Sequence, residues 1–177
     1  MEVNLKYRLF KLIKVIKLFN ILGIKSFLCL FTPFYMRGKV IKVGRFYLRL
    51  GTSDIGILEQ IFCSKEYEIA LSSPKYIIDC GANIGLATCY FKEKWPEANV
   101  IAIEPEDSNF ELLNLNTVNL SNVNLLKAAV WNKSSYLSFN SSDANFDAFS
   151  VKESNTCTSI SAITIAEILV QVFLLLQ

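Results

Sequence analysis

The chain has 177 residues, 52% of them hydrophobic and 19% charged, which is enough for one domain with a core and too short for two of ordinary size. It contains no histidine, which excludes Ser-His-Asp and Cys-His catalysis and any histidine base or metal ligand. Its five cysteines never form a CxxC pair, a distribution typical of buried thiols in a reducing compartment. We therefore expect no metal site and a cytoplasmic protein.

The net charge of +2 is unevenly distributed along the chain. Residues 1–50 carry eleven Lys/Arg and one acid (net +10), whereas residues 51–177 carry seven and fifteen (net −8). Apolar residues recur at helical spacing from Leu5 to Phe19 with lysines between them, which predicts a basic amphipathic helix within residues 1–37. Such a helix either lies in a membrane interface beside anionic headgroups or packs its apolar stripe on the protein, and the sequence leaves both open.

Residues 38–75 have the pattern of a small lead-in. The sequence predicts a strand on each side of a Gly44-Arg45 turn, followed by a helix over residues 57–68. Asp54 is placed to cap this helix at its N-terminus. Asp54 and Glu59 are the acids of this lead-in expected nearest a ligand site, and a cap or surface role is the preferred interpretation of both. No catalytic base is named from the sequence.

The most informative segment begins at residue 76. A short β-branched strand ends in Asp79, a turn bracketed by Gly81 and Gly85 follows, and the next residues predict a helix over 86–94. A second apolar strand over 100–103 ends in Glu104. This is the first half of a nucleotide-binding βαβ unit, in which ligands bind at the carboxyl ends of the strands and the helix N-terminus points its N–H groups at them.

The spacing of the turn distinguishes two cofactors. Dinucleotide sites use GxGxxG, whereas this chain has an acid at Asp79 and Asn83 in place of a middle glycine. An acid facing the ligand favours a cationic group and repels a pyrophosphate, so S-adenosylmethionine fits better than NAD. Glu104 then accepts hydrogen bonds from both ribose hydroxyls. A purely structural turn and an NAD-dependent oxidoreductase are the weaker alternatives.

Beyond Glu104 the pattern continues with a helix over residues 107–118 and a third strand over 122–127. The predicted apolar side of the helix comprises Phe110, Leu112, Leu113 and Leu115. After the strand, Ala129 is placed where a small side chain meets an adenine edge. Trp131 is interpreted as a core residue.

Taken together, these motifs resemble the FkbM family of S-adenosylmethionine-dependent methyltransferases. The resemblance rests on Ile78-Asp-Cys-Gly-Ala-Asn-Ile-Gly-Leu86, Ile103-Glu-Pro105, Asn109–Asn119 and Ala128-Ala-Val-Trp-Asn132, with Arg49-Leu-Gly-Thr-Ser-Asp54 in the lead-in. It implies a Rossmann-like class I methyltransferase fold of the α/β class and O-methylation of a small-molecule or glycan hydroxyl, with no nucleic-acid partner. The implied cofactor contacts are Asp79, Gly81, Asn83, Gly85 and Glu104.

The sequence departs from the family after residue 164. The family continues into a fourth strand with an acidic Lys-x-Asp-x-Glu-Gly segment, which is absent from residues 164–177. We therefore expect an incomplete sheet of the first three core strands, with the first strand as an exposed edge. The predicted divisions are a helical segment (1–37), a β/α lead-in (38–75) and a partial methyltransferase domain (76–177). A non-catalytic remnant that binds a membrane or a partner is the alternative to an enzyme.

Overall fold

The structure is a computed structural model that describes residues 16, 19–20, 23, 36–140, 150–153 and 160–174. For residues 138–140, 150–153 and 171–174 it describes the backbone alone. The chain divides into two compact units, Met1–Ile69 and Ala70–Gln177. Most of the predicted N-terminal helix lies outside the described residues, and the predicted three-part division stays a prediction.

The first unit contains the predicted hairpin. Strands β1 (Val40–Val43) and β2 (Phe46–Arg49) pair antiparallel around Gly44-Arg45. Val43, Phe46 and Leu48 are buried, which explains the register, since a shift by one residue exposes this apolar face. A short helix, α1 (Asp54–Leu58), continues as a π-helical turn over Glu59–Cys63. The sequence predicted a helix over residues 57–68. The observed helical segment begins three residues earlier, at Asp54, and ends earlier, at Cys63.

The prediction that Asp54 caps this helix is wrong. Ser53 occupies the cap position, and Asp54 is the first helical residue, buried inside the unit. Its carboxylate accepts hydrogen bonds from the backbone N–H of Arg49 (2.8 Å) and from Nε (3.0 Å) and Nη2 (2.9 Å) of the Arg49 side chain. Glu59 accepts a hydrogen bond from Ser64 Oγ at 2.7 Å. Asp54 is thus one half of a buried ion pair.

The second unit is built on a parallel sheet in the order β3-β4-β5. Its strands are β3 (Tyr76–Cys80), β4 (Asn99–Ile103) and β5 (Val123–Leu126), joined by helices α2 (Leu86–Lys94) and α3 (Asp107–Thr117). Ile78 lies beside Ile101 and Asp79 beside Ala102, so the strands end level with each other. Among the described strands β3 pairs only with β4, which makes it the edge that the sequence predicted.

Both faces of this sheet are covered by apolar side chains. On one face Ala82, Ala102 and Leu113 form a buried cluster with Phe110 and Leu125. The other face has a cluster of Ile101, Ile103, Ala128 and Ile168, with Ile78, Leu126, Val130 and Ile163 packed against it. The strands therefore read as continuous apolar runs, as strands of a parallel sheet covered on both faces do.

A second sheet follows in the order β6-β9-β7-β8. It comprises β6 (Ala129–Val130), β7 (Ser135–Asn140), β8 (Ser150–Glu153) and β9 (Ile160–Ile163). Helix α4 (Ile165–Leu174) comes directly after β9 and buries Ile168. Trp131 packs against Ala129, Leu137 and Ala162, in agreement with its interpretation as a core residue.

Helix α3 differs in one respect from the prediction. Leu112 and Leu113 are buried, but Leu115 is 44% exposed and lies on the outer side. The apolar stripe of α3 is narrower than the sequence indicated because Asn109 and Thr117 take part of the buried face. In the part of the chain that the structure describes, no helix is both long and apolar enough to cross a membrane.

Candidate cofactor site

The turn between β3 and α2 depends on left-handed backbone conformations. Gly81, Asn83 and Gly85 have φ values of 77°, 50° and 85°. Glycine adopts this region without a steric penalty, and asparagine is one of the few other residues that tolerate it. The N–H groups of Gly81 and Ala82 both donate to the Ile103 carbonyl at 2.9 Å. The turn is therefore tied to the carboxyl end of the neighbouring strand β4.

Asp79 lies in the last part of β3 and is 9% exposed. Its Oδ2 accepts a hydrogen bond of 2.6 Å from the hydroxyl of Thr88, which is in the first turn of α2 and fully buried. A carboxylate offers about four acceptor positions, so one donor leaves most of its capacity available, including both positions on Oδ1. Asp79 is thus oriented by α2 while it keeps the ability to bind a positively charged or hydroxyl-bearing group.

Glu104 follows directly after β4 and is 5% exposed. Its Oε2 accepts from the Asn83 N–H at 2.8 Å, and its Oε1 accepts from the Glu106 N–H at 3.0 Å and from Asn109 Nδ2 at 3.3 Å. Three donors use three of about four acceptor positions, so the position that remains is on Oε2. This free position can accept a hydrogen bond from one ribose hydroxyl. The predicted bond from the second hydroxyl would have to go to a Glu104 oxygen that already accepts from a protein donor.

Asn83, in the turn after β3, binds one of the two acids of the site. Its N–H binds Glu104, while its own side-chain Oδ1 is buried with no hydrogen-bond partner among the described residues. An unpaired buried amide oxygen is destabilising, by about 1–3 kcal/mol. Such a group is typically retained where a ligand supplies the missing donor.

Both carboxyl groups are influenced by their burial. Desolvation raises the pKa of Asp79 above its ordinary value, and the Thr88 hydrogen bond partly opposes this. Burial also raises the pKa of Glu104, against the hydrogen bonds from Glu106, Asn109 and Asn83. The Cys80 thiol has a raised pKa through burial and the negative charge of Asp79. The two desolvated carboxylates are 25 residues apart in sequence. Both lie at the carboxyl end of the sheet because their strands end level with each other.

Ala129 is placed differently from the other predicted contacts. It lies in β6 of the second sheet, beside Ala162, and is buried among Leu137, Ala162 and Trp131. No contact of this side chain with Asp79 or Glu104 is present in the described region. Its predicted role at an adenine edge stays a prediction.

A cavity of about 400 Å³ lies at the opposite end of the strands. Its lining comes from residues 71–74, which precede β3, and residues 94–98, which precede β4. The buried acids and the strained turn are at the carboxyl ends of these strands. Because open α/β sheets bind ligands at that end, the chemistry places the candidate site there rather than at this cavity.

Sequence reasoning missed two residues of this site, Thr88 and Asn109. Each is a polar residue on the buried face of its helix, and each bonds to one of the predicted carboxylates. A threonine or asparagine at a buried helical position is the available signal, since a buried polar group needs a partner. The sequence does not show which partner that is.

These features define an α/β protein with an acid-lined ligand site at the strand ends. The chain belongs to the FkbM methyltransferase family: the family model described as Methyltransferase FkbM domain matches residues 79–174, which is 96 of the 177 residues. It is similar to "Methyltransferase sdnD" of Sordaria araneosa, with 43% identity over 61 residues, 34% of this chain and 24% of that protein. It is also similar to "Methyltransferase 1" of Beauveria bassiana (strain ARSEF 2860), with 36% identity over 73 residues, 41% of this chain and 29% of that protein. The matched parts span less than a third of the length of each of these curated relatives.

Proposed function

We propose that the chain binds S-adenosylmethionine at the Asp79–Glu104 end of a Rossmann-like sheet and acts as a methyltransferase. The observation that carries this proposal is the pair of desolvated carboxylates, Asp79 and Glu104, at the carboxyl ends of adjacent parallel strands. When bound, the cofactor supplies an electrophilic methyl group on a sulfonium.

The residues at the site fit this cofactor. Asp79 has acceptor positions for an ammonium, Glu104 has one for a ribose hydroxyl, and the unpaired Oδ1 of Asn83 accepts a further donor. Two carboxylates at the turn oppose a pyrophosphate, which disfavours an NAD-dependent oxidoreductase. The donors on the ligand and the acceptors on the protein are therefore complementary.

The methyl acceptor belongs to the same proposal. The family resemblance supports O-methylation of a hydroxyl on a small molecule or glycan, in the cytoplasm, with no part for nucleic acid. The chain offers no histidine base, and Asp54 is engaged by Arg49. Deprotonation of the acceptor thus falls to another group, and we name no catalytic residue. A non-catalytic remnant that binds a membrane or a partner, and not the cofactor, is the competing function.

Replacing Asp79 by asparagine is expected to weaken binding of S-adenosylhomocysteine at least tenfold at pH 7. The amide still accepts from Thr88 but carries no charge for the ligand ammonium, and tenfold corresponds to about 1.4 kcal/mol. Isothermal titration calorimetry on the full chain measures this. The Glu97→Gln variant, with an exposed acid at the other end of the strands, is the matched control and is expected to bind as the wild type does.

The same variant has a predicted effect on stability with a defined sign. The pKa of Asp79 is raised in the folded state, so the native protein holds its proton more tightly than the unfolded chain. Protonated Asp79 therefore stabilises the folded state at low pH. This contribution is lost as the pH rises from the ordinary carboxyl pKa through the raised pKa of Asp79. Asp79→Asn is therefore expected to be more stable than the wild type at neutral pH and equally stable at low pH.

In the calorimetric experiment, a wild-type chain that does not bind S-adenosylhomocysteine would contradict the proposed function.

We propose peripheral membrane contact through residues 1–37 as a second property. The supporting observation is that the basic character continues into the described hairpin, where Arg37, Lys39, Lys42 and Arg45 are exposed. The full chain is expected to float with vesicles that contain anionic lipid, and not with neutral vesicles. Flotation should fall as salt rises because exposed charges are screened. Salt-independent flotation, or none, would contradict this contact.

A further inference from the structure

The Thr88 hydroxyl of α2 is hydrogen-bonded to Asp79 of β3 and not to a carbonyl of its own helix. A threonine inside a helix commonly donates to the carbonyl four residues earlier, as Thr117 does to Leu113 at 2.7 Å. For Thr88 that carbonyl belongs to Ile84, which already accepts from Asn116 Nδ2 at 2.7 Å. The Thr88 hydroxyl donates to Asp79 instead, at 2.6 Å.

The hydrogen bond between Thr88 and Asp79 is placed to orient the carboxylate that would bind a ligand. Donor and acceptor are both buried, so water does not substitute for either partner. The single O–H of Thr88 donates a hydrogen bond to Oδ2, and this bond restrains the orientation of the carboxylate relative to the N-terminus of α2. Thr88 itself is fully buried and has no surface with which to touch a ligand.

We propose that Thr88 is a positioning residue that orients the Asp79 carboxylate for a cationic ligand group and stabilises its ionised form. The inference rests on the proposed cofactor function of the Asp79–Glu104 site. It assigns to a buried helical hydroxyl a part in ligand binding without contact to the ligand.

The charged and titratable groups near Asp79 do not stabilise its ionised form, whereas the Thr88 hydroxyl does. On its own strand the neighbour is the Cys80 thiol, and at the end of β4 it is Glu104, which is itself acidic. The buried lysine of α2, Lys92, is in the last turn and donates to two backbone carbonyls there. On α4, the carboxylate of Glu167 is bound by Thr164 and Ser134. The Thr88 donor is therefore the stabilising contact of the ionised form among the described groups.

The test compares Thr88→Val with Thr88→Ser in the full chain. At pH 7 the valine variant is expected to bind S-adenosylhomocysteine about tenfold more weakly, the size expected when a charged group loses one hydrogen bond. Its acid limb of binding is expected to move to higher pH, because the pKa of Asp79 rises further without the donor. The serine variant keeps the hydroxyl and is expected to retain both the affinity and the pH profile.

The outcomes separate the inference from the proposed function. If the wild type does not bind S-adenosylhomocysteine, the proposed function fails first. If the wild type binds and Thr88→Val has the same affinity and the same pH profile, Thr88 has no positioning role. A weaker affinity with an unmoved pH profile, or a serine variant as impaired as valine, also overturns the inference, since packing alone then explains the loss. Asp79→Asn/Thr88→Val is expected to bind no more weakly than Asp79→Asn alone.

Discussion

Replacing Asp54 by alanine is expected to lower the free energy of unfolding by about 3–5 kcal/mol, the range seen when one partner of a buried ion pair is removed. Asp54 is 0% exposed and Arg49 is 4% exposed. Without the carboxylate, the Arg49 guanidinium and the Arg49 N–H lose all three of the hydrogen bonds that Asp54 accepts. The destabilisation comes from keeping the Arg49 charge buried without the Asp54 carboxylate rather than from the attraction that the pair loses.

A control in the same unit separates burial from charge pairing. Lys65 and Glu68 form an ion pair of 3.6 Å in which both side chains are more than half exposed. Glu68→Ala is expected to change the free energy of unfolding by about 0–1 kcal/mol, because solvent screens such pairs. Urea denaturation followed by circular dichroism measures both variants, and hydrogen exchange of the β1 and β2 amides locates the effect. A loss below about 1 kcal/mol for Asp54→Ala would contradict the structural role given to this pair.

Replacing Gly85 by alanine is expected to lower the free energy of unfolding by about 3 kcal/mol, from overpacking together with a strained left-handed backbone. A Cβ at this position would lie 2.7 Å from Leu113 Cδ1 and 3.3 Å from both Leu113 Cα and Thr117 Cγ2. The residue has φ of +85°, a conformation that alanine rarely adopts. The end of the Leu113 side chain has to move, and α3 has to give slightly at Leu113 Cα, to admit the methyl group.

The matched control is Gly81→Ala in the same turn. Gly81 also has a left-handed backbone, with φ of +77°, but a Cβ there meets nothing within 4 Å. Its expected effect is about 1 kcal/mol, from backbone strain alone. Chemical denaturation followed by tryptophan fluorescence reports on both variants, since Trp95 caps the C-terminus of α2. Equal losses in the two variants would show that helix packing at Gly85 is not the cause.

The local patterns of the second unit were predicted well from the sequence. The helix over 86–94 is confirmed at both ends, and the strand before Glu104 differs by one residue at its start. These elements have short apolar runs ended by glycine or proline, which fix their limits through local backbone chemistry. The lead-in was predicted less well, because its helix begins at a buried acid that a local pattern interprets as a cap.

Partnerships between distant side chains were the part that sequence reasoning could not supply. Asp79 and Glu104 were identified by their positions after strands, but the donors on them were not. Thr88 and Asn109 reach these acids because α2 and α3 each pack back onto the sheet near its carboxyl end. Which side chain meets which acid depends on helix packing to within about 1 Å, and no periodicity in the sequence encodes that distance.

By itself the sequence determined the α/β class of the fold, the glycine turn after the first strand of the parallel sheet, and the two acids at the carboxyl ends of its strands. Each depends on local rules: residue type sets the backbone conformation, and apolar periodicity sets the strands and helices. The tertiary structure decided how much each acid can still accept. It uses three acceptor positions of Glu104 and one of Asp79, and it pairs Asp54 wholly with Arg49. The reason is that burial removes water as a partner, so only the packed neighbours of a carboxylate determine its charge and its remaining capacity.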